Sequence, residues 1–131
     1  MGDVTVLLVL ASWLSVAAPV RYRVLVSTDL GGDPDDIQSL YRLIHYSDIL
    51  RVEGLVSSPG PGAQHSAQKI RHWIRTIDVE RMRRNGHPEL MTEADLLAVV
   101  KQGAPRPGPP STSNRSEGSE WMIRRALAPD P

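Results

Sequence analysis

Two short apolar runs limit what this chain can fold into. Arg23 to Thr28 (RVLVST) and Leu50 to Ser57 (LRVEGLVS) are rich in β-branched residues and read as strands, the first buried on both faces. Between them, from Pro34 to Tyr46, apolar Ile37, Leu40, Tyr41, Leu43 and Ile44 recur at helical spacing, so the connection is a helix. Strand, helix, strand in this order closes as a right-handed βαβ unit and implies a parallel sheet. The fold class is therefore α/β.

The following segments extend the same plan. Ser58 to Gly62 (SPGPG) is a loop by its proline and glycine content. A second helix is expected from about Ala63 to Ile77, with Ala67, Ile70, Trp73, Ile74 and Ile77 on one face. Thr92 opens a third: Thr92 as N-cap and Asp95 three residues on resemble a capping box, with Leu96, Leu97, Val99 and Val100 behind. Gly103 to Ser113 holds four prolines and two glycines among eleven residues and cannot be regular structure. A last amphipathic helix is expected from about Ser119 to Leu127. Two clear strands, with room for a third, make a small sheet beside four helices, since parallel sheets rarely stop at two strands. The chain thus reads as the front part of a larger domain, a partial parallel sheet with flanking helices. Its open strand edges favour self-association into a homo-oligomer.

Composition narrows the function. The 131 residues allow one ordinary domain at most, since such a domain needs about 100–150 residues. Fifteen basic and fifteen acidic side chains leave a net charge of zero. That gives no electrostatic reason to expect nucleic acid. The stretch containing Lys69, Arg71, Arg75, Arg81, Arg83 and Arg84 reads as a solvated helix face, tempered by Asp78 and Glu80. The absence of cysteine removes disulfides, thiolate catalysis and cysteine-based zinc sites.

At the N-terminus, Val4 to Leu14 (VTVLLVLASWL) is apolar apart from Thr5 and Ser12, and small residues follow at Ala17 and Ala18. This is the h-region and cleavage region of a signal peptide, although Met-Gly-Asp places an acid where a basic residue is usual. Residues 1–18 are expected to be a leader and 19–131 the domain, in a secreted or periplasmic protein. The run is too short for an integral membrane span, which needs about 20 apolar residues.

The densest chemistry lies in Ser27-Thr28-Asp29-Leu30-Gly31-Gly32-Asp33-Pro34-Asp35-Asp36, where four aspartates fall within eight residues between the first strand and the first helix. In open α/β sheets ligands bind beyond the carboxyl ends of strands. Two like charges about 4 Å apart cost roughly 1 kcal/mol in water and about 4 at an effective dielectric near 20, so something must compensate. Two readings stand side by side. The helix can do it: Asp33 as N-cap, Pro34 at the first helical position, and Asp35 and Asp36 against the positive end of the dipole. A hard divalent cation can also do it, uniting Asp29 with Asp36, since calcium takes carboxylate and carbonyl oxygens. Neither an EF-hand loop, a P-loop nor a nucleophile elbow is present.

The pattern Val-Ser-Thr-Asp-Leu-Gly-Gly-Asp-Pro-Asp-Asp-Ile-Gln-Ser-Leu, followed by Val-Glu-Gly-Leu-Val-Ser-Ser, resembles the inosine–uridine-preferring nucleoside hydrolase superfamily. It is closest to the nucleoside hydrolase-like domain of exported, cellulose-binding-type proteins, and Ser116-Glu117-Gly118-Ser119 with Trp121-Met122-Ile123 is similar to that subgroup too. The resemblance spans Arg23 to Pro131. It implies a Ca2+ cofactor held by Asp29 and Asp36, with Asp29 also the base that activates water and Asp35 binding sugar hydroxyls. Two departures bear on nucleoside specificity: Ser27 stands where the family's first aspartate would be, and the spacing from Asp29 to the aspartate pair is two residues longer, with Asp33 inside the insertion.

The implied activity is hydrolysis of a glycosyl bond through an oxocarbenium-like transition state, with a small-molecule nucleoside or carbohydrate as partner. The alternative is a carbohydrate-binding or scaffold module that keeps the fold without turnover. No leaving-group acid stands out. His65 and His72 are seven residues apart on the second helix, His45 and His87 have no partner at a telling spacing, and Glu117 reads as a helix-start acid. Asn114-Arg115-Ser116 is a glycosylation sequon.

Overall fold

A computed structural model describes residues 20–31, 33–58, 66–105 and 115–129. Residues 1–19, which include the expected leader, together with His65, Asn114 and residues 106–113 of the proline-rich loop, lie outside the described residues. The elements run β1 (Tyr22–Thr28), α1 (Pro34–His45), β2 (Leu50–Ser57), α2 (Ala67–Ile77), α3 (Val79–Arg84), α4 (Glu93–Ala98), β3 (Val100–Gln102) and α5 (Glu117–Ala126). The strands form one parallel sheet in the order β1-β2-β3. This is the α/β architecture with flanking helices that the strand–helix–strand order requires.

β2 is the buried centre, continuous from Val52 to Ser57. Its Val52 and Leu55 join Ile44 of α1, Ile70 and Ile74 of α2, Leu96 of α4 and Val100 of β3 in the apolar core. Burying side chains of this size stabilises by about 1.5–3 kcal/mol each before entropy is counted. α2 presents Ala67, Ile70 and Ile74 to that core, with Trp73 and Ile77 half-buried beside them. α5 packs on β2 and β3.

Four expectations change. β1 is not buried on both faces: Val24, Leu25 and Val26 are half-buried, and Tyr22 and Ser27 are exposed. Among the described residues the strand is paired along one edge only, with β2. Val100 belongs to β3, not to the helix begun at Thr92. That helix ends at Ala98 with Val99 as its C-cap, and Val100 then pairs with Leu55. Residues 79–84, read from their charge as part of a basic stretch, form a separate helix. Asp78 breaks α2 by adopting the left-handed conformation (φ 52°, ψ 60°), and its side chain accepts the Arg81 N–H at 3.1 Å, capping α3. α5 starts at Glu117, because Ser116 and Ser119 form a reciprocal capping box at 2.9 and 3.1 Å.

At the carboxyl ends of the strands the packing is tight. Gly103 follows β3 and donates its N–H to Ser57 Oγ at 3.1 Å. Gln102 Oε1 accepts the Ala67 N–H at the start of α2, and Glu117 accepts the Gln102 N–H at the start of α5. The amino ends of α2 and α5 are thereby tied to the same end of the sheet that α1 follows.

Candidate functional site at the aspartate loop

The loop from β1 to α1 is built by a turn and a cap. Gly31 takes φ 112°, which side chains other than glycine rarely adopt. Asp33 is the N-cap in extended backbone, Pro34 follows at the first helical position, and Asp35 and Asp36 occupy the first turn. Asp36 Oδ2 accepts N–H bonds from Gly31 at 3.3 Å and Asp33 at 3.4 Å, so one carboxylate pins both sides of the turn. The helix-capping reading therefore accounts for Asp33 and Asp36. Asp33 and Asp35 are exposed, and Asp29 and Asp36 are half-buried. Among the described residues the Asp29 carboxylate accepts no hydrogen bond.

A groove of about 220 Å³ runs beside this loop between β1 and α1, lined by Val26, Thr28, Leu30 and Leu40, with Asp36 as its one charged residue. The larger cavity, about 940 Å³, is elsewhere. It surrounds Arg23, Arg51 and Arg125 at the amino ends of β1 and β2, and none of the four aspartates lines it.

Lys69 is a neighbour of the loop that the sequence did not reveal. It sits in the first turn of α2, and its Nζ lies 2.7 Å from where a Cβ on Gly31 would stand. A half-buried ammonium therefore rests against the aspartate loop, where it forms no ion pair among the described residues. Its place in a run of basic residues marked it as solvated. Only the return of α2 to the β1–α1 turn brings it to Gly31 in the aspartate loop.

These contacts bear on calcium. A calcium ion takes six to eight oxygens. Asp36 Oδ2 is already committed to two N–H donors, and an ammonium stands beside Gly31. Among the described residues no group of three or more histidine, aspartate or glutamate side chains could hold a metal ion. By themselves, Asp29 and Asp36 do not make a calcium shell.

The other candidates have other duties. Glu117 accepts the Gln102 N–H at 3.1 Å and pairs with Lys101 at 3.6 Å. His72 is exposed on α2 and its ring stands against Trp73. His45 and His87, far apart in sequence, meet edge to face with ring centroids 6.4 Å apart, and both are exposed. No described helix is long and apolar enough to cross a membrane.

The chain is similar to the solved structure of a nucleoside hydrolase-related hypothetical protein from Saccharophagus degradans that is associated with carbohydrate metabolism, with a TM-score of 0.70 and 27% identity over 85% of this chain. The match spans 28% of that protein, so this chain corresponds to about a quarter of its length. No curated protein matches the chain. Residues 23–131 match the model of the family described as cellulose-binding Sde182, nucleoside hydrolase-like domain. With the parallel sheet and the aspartate loop beyond β1, that match places the chain in this carbohydrate-associated, nucleoside hydrolase-like family.

Proposed function

We propose that this chain carries the sugar-binding, carboxylate part of a glycosyl hydrolase site. The observation that carries the reading is the Asp36 clamp on Gly31 and Asp33, which fixes the loop at the carboxyl end of β1 while Asp29 stays free of hydrogen-bond donors among the described residues. In this reading Asp35 faces the hydroxyls of a nucleoside or carbohydrate. Asp29 takes the proton from water attacking the anomeric carbon. Calcium enters the reading only where further oxygen ligands complete its shell around Asp29 and Asp36. The apolar leader and the carbohydrate-associated family both support export from the cell. N-terminal sequencing from the host should then find a mature protein beginning at Ala18 or Pro19.

A second reading, binding without turnover, is favoured by the Lys69 ammonium at the loop, which meets Gly31 where a cation or a substrate would approach Asp29. Incubation with inosine, uridine and p-nitrophenyl glycosides separates the two. Turnover that is abolished in Asp29→Ala supports hydrolysis. Saturable glycan binding without product supports the binding module.

A further inference from the structure

The large cavity lies at the opposite end of the sheet from the aspartate loop, and its chemistry is different. It is lined by four arginines, Arg21, Arg23, Arg51 and Arg125, against two carboxylates, Glu53 and Asp95. We propose that it is an oxyanion-binding site, accepting a carboxylate or phosphate group in contact with Arg51 and Arg125.

A strand irregularity builds the site. Val24 pairs with Val52 and Leu25 with Gly54, so Glu53 is an extra residue of β2 with no partner on β1. Such bulges re-aim side chains and recur beside functional sites. Here the bulge puts a carboxylate that is 4% exposed among three guanidinium groups. Its Oε2 takes Nε of Arg23 at 2.9 Å and Nε of Arg125 at 3.2 Å, while its Oε1 takes Nη2 of Arg125 at 2.8 Å and Nε of Arg51 at 3.4 Å. Arg23 and Arg51 are also direct cross-strand partners. Like charges placed opposite one another on a sheet are destabilising, and Glu53 sits between them as their shared counter-charge.

Glu53 is saturated, while Arg51 and Arg125 keep donors to spare among the described residues. Arg51 offers only its Nε to Glu53, and its side chain is 49% exposed. Arg125 uses Nε and Nη2, leaves Nη1 without a partner among the described residues, and is 31% exposed. Two planar forks therefore line the cavity with donors to spare, the geometry that recognises carboxylate and phosphate. Among its described lining residues the cavity carries two more positive than negative charges (four arginines, two acids). A bound oxyanion relieves that excess.

The test uses the full chain and the arginine Nε–H signals of its NMR spectrum. Inorganic phosphate, glucuronate and a short acetylated Glu-Glu peptide are titrated separately at constant ionic strength. Saturable shifts at Arg51 and Arg125, weakened about tenfold in Arg51→Gln and largely kept in Arg51→Lys, support the site. Saturation by phosphate and glucuronate identifies a free anion as the ligand, and saturation by the peptide alone identifies a polypeptide carboxylate. Arg51 touches the cluster through one long contact, so its variants should keep the wild-type circular dichroism. Shifts that are linear in every ligand, or unchanged by Arg51→Gln, overturn the proposal.

Discussion

Arg23 of β1 grips Glu53 of β2 with two nitrogens on one oxygen, Nε at 2.9 Å and Nη2 at 2.8 Å. The same guanidinium donates to the carbonyls of Arg125 and Ala128 at the end of α5, so one side chain joins two strands to the last described helix. Burial of Glu53 works against its charge and is the largest single influence on it. The hydrogen bonds and charges of Arg23 and Arg125 together outweigh that influence and hold its pKa below the ordinary 4.5. Because the folded pKa is depressed, the stabilisation is complete above the unfolded value and is lost as pH falls through the folded one.

Glu53→Gln should therefore destabilise the chain at neutral pH by about 3 kcal/mol, since it leaves partly buried guanidinium groups without their counter-charge. Urea melts of both proteins at several pH values check this. The gap between them should close as pH falls through the depressed folded-state pKa of Glu53, where the wild type itself becomes protonated. A gap independent of pH means that packing, not charge, holds the cluster.

Gly103→Ala should be among the most damaging single-methyl changes. A Cβ there would stand 1.8 Å from the Ser57 carbonyl oxygen, which is backbone and cannot swing aside. The expected loss is about 1–3 kcal/mol or more, the range for overpacking. Gly86→Ala is the control: its φ of 115° is strained for alanine, but nothing lies within 4 Å of the new methyl, so the cost should be only about 1 kcal/mol. Thermal melts rank the two.

Asp33→Asn should be nearly silent for ligands and for folding. Asp33 is an exposed N-cap residue, and asparagine caps as well as aspartate does. Asp36→Ala should cost about 1 kcal/mol or more, because it strips an acceptor from both Gly31 and Asp33. Hydrogen exchange at those two amides measures the difference directly.

What the sequence made legible follows from how local each feature is. α1 and its cap could be read because Asp33, Pro34 and the Ile37 to Ile44 periodicity sit within a dozen residues. β2 was read to its ends because Val52, Leu55 and Val56 mark a strand that a proline- and glycine-rich segment then stops. β3 was hidden because Val100 follows directly on a helix whose apolar period includes it, and only pairing with Leu55 makes it a strand. The bulge at Glu53 depends on the register between two strands, which neither strand carries alone. Asp29, Asp35 and Asp36 were found by their spacing, whereas Lys69 reaches Gly31 from thirty-eight positions away in the sequence, through the packing of α2.

Lys69 gives the sharpest test of the aspartate loop as a cation site. Its ammonium rests against Gly31 and finds no carboxylate among the described residues to neutralise it. Any divalent cation drawn to Asp29 and Asp36 must approach that charge. At about 6 Å an ammonium and a calcium ion repel by about 1.4 kcal/mol even at the dielectric constant of water, and by more in a partly buried site. Lys69→Met should therefore tighten calcium binding about tenfold or more, from a weak, roughly millimolar start. Asp29→Asn should weaken it in either background, if Asp29 is a ligand. Methionine keeps the length and apolar stem of the side chain, so the Ser66 cap and the helix face should survive, as circular dichroism can verify. Calorimetry with calcium on the four proteins decides the matter. Affinity that rises in Lys69→Met and falls with Asp29→Asn makes the loop a cation site held in check by its own lysine. Affinity indifferent to both changes leaves the aspartates to helix capping and direct contact with sugar.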